Sequence, residues 1–478
     1  MSRTDSRFLL PHAVRTAVVI GGLEEWREGL AEAGVGESES PDLAVTTAWE
    51  VGTAIETNAA AILVEGDGAA GPLRAAGYDV RRFVSLPDPS RPEVLFPVDE
   101  RRATRYALTE WIAASRRWKR LRNSALAALL RVPRLPVRLP VVTVAARRPA
   151  PPRLLAHAVE LGLPANPAWV LAPAQGDLLS RGVFLVFAPG RARPSWVLKF
   201  ARVAGWRDPF ERDEEAYRFV AAAGETAARH APRPVGRTSL DGLEMSVETA
   251  AVGPRLIAYL HSSAARRSKD TVVDRISSWL VELGRDTAAR GSALEPELDR
   301  LEREVVPRWP VPADLVRGLG GVPAVLQHND LGTWNVVVGG GDFTVLDWED
   351  ARRHGLPLWD LWYLLMDATA HRDGASTLDE RENHFVRLFR GELASSARLF
   401  HWTRVAVGEQ RVPAESVGTL ATLCWMQHGL SSEARAASVK LFDPRTEPVF
   451  WLDLLERLAR RWLEDPELGL RWDRWRDA

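Results

Sequence analysis

Residues 326–350 read LQHNDLGTWNVVVGGGDFTVLDWED, which predicts a polar loop followed by a β-hairpin. Two apolar runs, VVV and FTVL, flank the glycines 339–341, and the pattern predicts a β-hairpin that turns at the glycines. A loop that carries Asp330 and Asn335 precedes the first strand, and Asp347 closes the second. Because a tight hairpin brings its two ends together, we expect Asn335 near Asp347, with Asp330 at the open end.

These three polar residues are the groups that phosphoryl transfer requires. One carboxylate and one amide oxygen suit Mg²⁺, which takes a few protein oxygens and completes its shell with phosphate and water. A second carboxylate, free of metal, accepts the proton of a hydroxyl group. Catalysis of phosphoryl transfer consists mostly of positioning and charge stabilisation. The set Asp330, Asn335 and Asp347 is therefore consistent with a phosphotransferase.

The same stretch resembles a known family. HNDLGTWN at 328–335 is similar to the H-x-D-x-x-x-x-N loop of the aminoglycoside phosphotransferase and choline kinase family. LDWED at 346–350 looks like the metal-binding strand end of that family, and GLPLWDL at 355–361 resembles a further segment. The resemblance covers roughly residues 160–370. It implies an α+β, two-lobed protein-kinase-like domain that uses ATP and Mg²⁺.

The resemblance also implies a role for each matched residue. Asp330 would be the catalytic base, and Asn335 and Asp347 would be the Mg²⁺ ligands. His328 and Asp360 would brace the loop from behind. These assignments follow from the match to the family and not from the spacing alone.

Two positions of the 328–335 loop depart from the family. The family often has Gly where this chain has Asn329, and Pro where it has Thr333. Neither change removes a catalytic group, so the predicted site remains complete.

A kinase-like site also requires a lysine on a strand of the small lobe, where it contacts the α- and β-phosphates. Lys199, within the apolar stretch WVLKF, is the only lysine between residues 120 and 268 in a chain whose positive charge is mostly arginine. An acidic partner should follow on the next helix. The candidates are Glu211, Asp213, Glu214 and Glu215. We favour Glu215 as the residue that braces Lys199.

Two further segments are candidates for nucleotide contacts. PAQGDLLSRG at 173–182 has the position of a phosphate-covering loop, although it is not a G-x-G-x-x-G motif. Its candidate residues are Gly176, Ser180 and Gly182. VETA at 247–250, with Glu248, would be the hinge that contacts adenine through backbone groups.

Composition excludes several classes of protein. The 478 residues carry 62 Lys+Arg against 63 Asp+Glu, and a net charge of −1 argues against a polycation that binds nucleic acid. One cysteine, Cys424, argues against a disulfide framework and against a cysteine metal cluster. No apolar run is long enough to span a bilayer, and the first residues lack the apolar region of a secretory signal. The expected location is therefore the cytoplasm.

The pattern along the chain predicts four regions. Residues 1–115 alternate strands and helices, which is typical of a small α/β, Rossmann-like domain with a parallel sheet. Residues 116–153 read as a basic helix end and a stiff linker, because 131–153 contain six prolines and six arginines. Residues 154–250 are the predicted small lobe, and 251–478 are the predicted helical large lobe with the catalytic loop.

Two features outside the kinase-like region leave alternatives open. The glycine pair Gly21 and Gly22 follows a strand, as in nucleotide or adenosylmethionine sites, but a lone pair is usually only a turn. A basic cluster near the end of the predicted helix is either a solvated helix end, which we favour, or a weak peripheral contact with anionic lipid. The cluster consists of Arg116, Arg117, Lys119, Arg120 and Arg122.

The principal hypothesis is an ATP- and Mg²⁺-dependent phosphotransferase that acts on a hydroxyl of a small molecule, with no nucleic-acid partner. The alternative is a kinase-like scaffold or regulatory protein with little or no turnover, tied to a membrane or to glycan assembly. A third hypothesis makes the N-terminal unit a transferase, so that the enzyme is bifunctional.

Overall fold

The structure is a computed structural model that describes residues 2–111, 140–173, 180–442, 450–465 and 468. The chain divides into two compact units. The sheet unit comprises residues 1–210 and 233–252, and the helical unit comprises residues 211–232 and 253–478.

The described part of the sheet unit is built on a sheet of twelve strands. They are β1 (Thr16–Val19), β2 (Gly36–Glu37), β3 (Leu43–Thr47), β4 (Ala61–Glu65), β5 (Asp79–Leu86), β6 (Val94–Pro97), β7 (Val141–Ala146), β8 (Ala168–Ala172), β9 (Gly182–Phe187), β10 (Trp196–Phe200), β11 (Pro234–Leu240) and β12 (Leu243–Thr249). Their order is β11-β12-β10-β9-β8-β6-β5-β7-β4-β3-β1-β2. The accompanying helices are α1 (Glu24–Glu32), α2 (Val51–Glu56), α3 (Ala70–Ala75), α4 (Arg101–Tyr106) and α5 (Arg153–His157).

The N-terminal strands pair as the alternating pattern predicts, because β1 is parallel to β2 and β3, and β3 is parallel to β4. A separate Rossmann-like domain is not confirmed. β6 pairs with β8 through Leu95 and Leu171, so the N-terminal strands and the predicted small lobe share one sheet. One neighbour of β8 in the sheet is therefore β6, a strand that lies more than 70 residues earlier in the chain.

The predicted linker is wrong for residues 141–146. These residues form β7, which lies between β4 and β5, and all six are buried. The six prolines of 131–153 lie outside VVTVAA, so none of them removes a hydrogen bond from the strand. Residues 112–139, which include the basic cluster, lie outside the described residues.

The helical unit packs its described helices around a buried apolar core. The helices are α6 (Asp208–Ala222, of which residues from 211 onward belong to this unit), α7 (Glu225–Ala228), α8 (Leu256–Leu260), α9 (Arg266–Thr287), α10 (Glu295–Arg300), α11 (Trp359–Asp373), α12 (Leu378–Arg390), α13 (Ser396–Gln410), α14 (Val417–Phe442) and α15 (Phe450–Glu464). Two small antiparallel sheets consist of β13 (Val325–Gln327) with β16 (Arg352–Gly355), and β14 (Val336–Gly339) with β15 (Asp342–Val345).

Helix α11 lies at the centre of this core. Every residue from Trp359 to His371 is buried. A helix that is buried on all sides has apolar residues on every face and not on one face only. The run LWYLLM within α11 shows this pattern. No helix in the described ranges is both long and apolar enough to cross a membrane.

Candidate active site

The predicted β-hairpin forms where the glycines place it. β14 and β15 are antiparallel, and the last pair is Gly339 opposite Asp342. Gly340 and Gly341 make the two-residue turn with φ angles of +63° and +81°. Such a turn requires positive φ at both central residues, which glycine adopts without steric cost. The open end of the hairpin therefore faces the 328–335 loop.

The backbone of Leu346 connects the loop to the end of the hairpin. Its N–H donates to the carbonyl oxygen of Asn335 at 2.7 Å, and its carbonyl oxygen lies 2.7 Å from Nε2 of His328. Asp347 follows directly, with a left-handed backbone at φ 54° and ψ 62°. Because both polar groups of Leu346 are bound by the loop, Asp347 is held beside Asn335, as the hairpin pattern predicts.

Asn335 is also bound to Asp330. Its Nδ2 donates to the carbonyl oxygen of Asp330 at 2.8 Å and to the carboxylate Oδ2 at 3.0 Å. Asn335 is 8% exposed, and Asp330 is half-buried. Since the nitrogen end of the amide binds Asp330, the oxygen end is the one left to face a cation. The orientation therefore fits a magnesium ligand.

Asp360 holds the start of the loop from helix α11. Its two carboxylate oxygens accept the backbone N–H groups of His328 at 2.6 Å and of Asn329 at 2.8 Å. Burial raises the pKa of the Asp360 carboxyl, while the His328 ring and the two backbone donors act in the opposite direction. Asn329 has a φ of +71°, which asparagine tolerates better than most residues. Asp360 thus fixes a strained part of the backbone.

Asp367, which was not predicted from the sequence, contacts the same loop. It lies seven residues after Asp360 on α11, and two turns of helix put both carboxylates on one face. Asp367 accepts two hydrogen bonds from Thr333. The sequence signal for Asp367 was a second aspartate within an apolar helix, because a fully buried carboxylate needs hydrogen-bond or ionic partners.

Lys199 and Glu248 form an ion pair within the sheet unit. Nζ of Lys199 lies 3.1 Å from Oε2 of Glu248, and both side chains are buried. Lys199 pairs with Ser246 across β10 and β12, so Glu248 lies two residues further along and on the same face. Glu215, predicted as the partner of Lys199, is exposed on α6, and its assignment stays a prediction.

The phosphate-covering loop is described only at its end. Gly176 lies outside the described residues, and Ser180, two residues before β9, is half-buried. A Cβ atom at Gly182 would collide with the ring of Phe200 on the neighbouring strand. The glycine at this position is therefore required by packing, whatever its role toward a nucleotide.

The described residues contain no cluster of three or more His, Cys, Asp or Glu that would hold a metal ion. The predicted Mg²⁺ site has another composition, with the carboxylate of Asp347 and the side-chain amide of Asn335. Its assignment to Asn335 and Asp347 stays a prediction that the orientation of the Asn335 amide supports.

Near the carboxyl ends of the parallel strands β1 and β4, the hydrogen-bonding groups are bound by arginine and tryptophan side chains of the protein. Arg27 donates to the carbonyl oxygens of Val19 and Gly21 at 3.0 and 3.3 Å. Glu65, at the end of β4, binds the guanidinium of Arg3 and accepts Nε1–H of Trp26 at 2.7 Å. The edge where open α/β sheets bind their ligands is thus lined by internal hydrogen bonds.

A hairpin, the 328–335 loop bound to its open end and a buried helix that holds the loop define a kinase-like fold. Residues 170–405 match the model of the phosphotransferase enzyme family, APH. This match confirms the resemblance predicted from the sequence, and the residues before 170 lie outside it. No curated protein matches the sequence of the chain.

Several solved structures are similar. A putative aminoglycoside phosphotransferase from Ralstonia eutropha JMP134 has 13% identity and a TM-score of 0.42, covering 68% of this chain and 98% of its own. A glucosamine kinase in complex with glucosamine, ADP and inorganic phosphate has 15% identity and a TM-score of 0.35, covering 63% and 81%. The aminoglycoside phosphotransferase APH(3'')-Id from Streptomyces rimosus ATCC10970 has 14% identity and a TM-score of 0.33, covering 64% and 97%. Similarity at this level does not bear on substrate.

Proposed function

We propose that the protein is an ATP- and Mg²⁺-dependent phosphotransferase whose acceptor is a hydroxyl group of a small molecule. The observation that carries the proposal is the linked set of groups at the open end of the hairpin. Nδ2 of Asn335 lies 3.0 Å from Oδ2 of Asp330, and the backbone hydrogen bonds of Leu346 hold the neighbouring Asp347 against the same loop. The family of residues 170–405 supports the reaction class.

The proposed reaction transfers the γ-phosphoryl group of ATP to an alcohol. The bond between the γ-phosphorus and the bridging oxygen breaks, a bond from the γ-phosphorus to the acceptor oxygen forms, and ADP leaves. Asp330 orients the acceptor hydroxyl and takes its proton as the new bond forms. The Asp330 carboxylate is fixed for this role, because the Nδ2 group of Asn335 donates both to one carboxylate oxygen of Asp330 and to the backbone carbonyl oxygen of Asp330.

Mg²⁺ would be held by Asn335 and Asp347 and would supply positive charge where charge develops on the phosphate oxygens. Asp347 contributes a carboxylate at a backbone position that the Leu346 hydrogen bonds fix. In the sheet unit, Lys199 is the proposed contact for the α- and β-phosphates. Glu248 binds its ammonium group at 3.1 Å, and the brace by Glu215 stays a prediction.

The experiment is calorimetric titration of the full chain with ATP and Mg²⁺, with slow hydrolysis of ATP followed in the same samples. Asp330→Asn keeps binding and lowers hydrolysis by about 10²- to 10⁴-fold, because it removes only the proton acceptor. Asp347→Ala weakens Mg²⁺-dependent binding by at least about 10-fold, because it removes a metal ligand.

Asp342→Asn is the matched control, since Asp342 lies at the exposed turn of the same hairpin. It should bind and hydrolyse ATP as the wild type does. Hydrolysis retained by Asp330→Asn overturns the role of Asp330. Failure of the wild type to bind millimolar ATP with Mg²⁺ overturns the phosphotransferase and favours a scaffold without turnover.

A further inference from the structure

Thr333 is tied to helix α11 by two hydrogen bonds to a single oxygen. Its backbone N–H donates to Oδ2 of Asp367 at 2.8 Å, and its hydroxyl donates to the same atom at 2.6 Å. Neither residue has measurable exposure. Proline, which the family often has at this position, could donate neither bond. This chain therefore has an attachment of the loop that the usual residue excludes.

Asp367 is itself held from its other side. Oδ1 lies 3.3 Å from Nη1 of Arg381 on α12 and 3.3 Å from Nε2 of His371. Desolvation alone would raise the pKa of Asp367, but its hydrogen bonds from His371 and Thr333 hold that pKa below its usual value. Nδ1 of His371 in turn lies 3.0 Å from Nε2 of His261. The carboxylate is thus an ion with a fixed position.

The position of Thr333 lies between the two groups that the proposed reaction uses. The backbone around it is a tight turn, because Gly332 N–H donates to the Asp330 carbonyl and Asn335 N–H donates to the Gly332 carbonyl, each at 3.0 Å. A Cβ atom at Gly332 would lie 3.6 Å from Asp367, so helix α11 packs directly on this turn. A displacement of Thr333 would move both Asp330 and Asn335.

We propose that Asp367 is a positioning residue of the proposed site, acting through Thr333 to hold Asp330 and Asn335 in their relative positions. The inference rests on the proposed function for its catalytic consequence. Its structural part, the attachment of the 328–335 loop to α11, is independent of any activity.

Thr333→Val and Thr333→Ser are the matched pair that tests the attachment. Valine keeps the shape and the N–H but removes the hydroxyl, whereas serine keeps both donors. Hydrogen–deuterium exchange of a peptide that covers the 328–335 loop should be roughly 10-fold faster in Thr333→Val than in the wild type, because a hydrogen bond to a buried charge is lost. Thr333→Ser should restore the protection.

The catalytic consequence is measured with ATP and Mg²⁺ on the same proteins. Thr333→Val should lower the rate of hydrolysis by about 10- to 100-fold, since small displacements of positioned groups have effects of this size. Binding of ATP with Mg²⁺ should change much less than the rate. Thr333→Ser should recover most of the rate. Thr271→Val makes the same change on the exposed surface of α9 and should match the wild type in every measurement.

The outcomes separate the two proposals. Faster exchange and slower hydrolysis in Thr333→Val, both rescued in Thr333→Ser, support the positioning role. Faster exchange with an unchanged rate overturns it, because Asp367 is then only a packing partner. Unchanged exchange overturns the attachment itself. If the wild type shows no hydrolysis, the proposed function fails, and the exchange comparison still decides the attachment. If Thr333→Val does not fold, Asp367→Asn provides the same comparison from the side of α11.

Discussion

Two sets of buried carboxylates, the ion pairs around β10 in the sheet unit and Asp360 behind the 328–335 loop in the helical unit, are fixed in different ways. In the sheet unit, Asp5 binds the guanidinium of Arg202 at 2.8 Å with both side chains fully buried, and Lys199 binds Glu248. In the helical unit, Asp360 accepts backbone N–H groups of the loop that carries Asp330. An ion pair fixes two side chains, whereas a carboxylate bound to amides fixes a stretch of backbone. The second arrangement suits a loop whose function depends on its path.

The first residues of the sheet unit also contact β10, which carries Lys199, and the residues that follow it. Arg7 donates to the carbonyl oxygen of Arg202 at 2.7 Å, and the rings of Phe8 and Phe200 lie 4.7 Å apart. Burial lowers the pKa of Arg7 to about 10. The N-terminal residues, which lie outside the family match, are therefore part of the structure around β10.

The largest expected effect comes from breaking the ion pair of the sheet unit. Asp5→Ala leaves the Arg202 charge buried without its carboxylate, and we expect a loss of about 3–5 kcal/mol in the free energy of unfolding. Denaturant titration of the wild type and the variant measures this loss. The double variant Asp5→Leu, Arg202→Met should be more stable than Asp5→Ala, because the buried Arg202 charge is then removed together with its carboxylate.

The exposed pair of Asp79 and Arg81, at 3.3 Å, is the control for this prediction. Asp79→Ala should change the free energy of unfolding by less than about 1 kcal/mol, since exposed ion pairs contribute little. Equal effects of Asp5→Ala and Asp79→Ala would contradict the contrast between buried and exposed pairs.

A buried histidine makes the free energy of unfolding of the helical unit depend on pH, and this separates it from the ion pairs of the sheet unit. His428 stacks on Tyr363 at 4.3 Å, and burial lowers its pKa to about 4 from an ordinary value of 6.5. Between these two values the unfolded chain binds the proton and the folded chain does not, so stability is complete above the unfolded pKa and is lost as the pH falls toward 4. The expected contribution between pH 7 and pH 4 is about 3 kcal/mol.

His428→Phe isolates this contribution, because it keeps an aromatic ring and removes the titrating group. Its free energy of unfolding should fall less steeply than that of the wild type between pH 7 and pH 4. Parallel pH profiles of the two proteins, obtained by denaturant titration at several pH values, would show that His428 does not titrate in this window.

The smallest expected effect comes from weakening one carboxylate that holds the loop. Asp360→Asn keeps the shape but turns a donor toward one of the two backbone N–H groups, so one of them loses its acceptor. We expect a loss of about 1–3 kcal/mol in the free energy of unfolding, together with faster hydrogen exchange at His328 and Asn329. Asp350→Asn, at an exposed position after the hairpin, is the control. Exchange at the loop that stays at the wild-type rate would argue against Asp360 as its support.

The parts of the candidate site that are close in sequence follow from local rules. The glycine turn, the alternation of the two strands and the loop before them place Asn335 next to the end of the hairpin. Lys199 was found for the same reason, since a lysine within a short apolar run marks a particular position on a strand. The ion pair of Lys199 with Glu248 was not predicted, because the two residues meet across two antiparallel strands and not along the chain.

Local sequence patterns predict the hairpin and the residues of the 328–335 loop, because turn chemistry and hydrophobic periodicity act over a few residues. Only the tertiary structure decided that residues 141–146 insert between β4 and β5, and that Asp367 meets Thr333. Strand pairing and the partner of a buried charge depend on residues that are far apart in the chain. No local pattern encodes which of many compatible apolar or polar groups will be the neighbour.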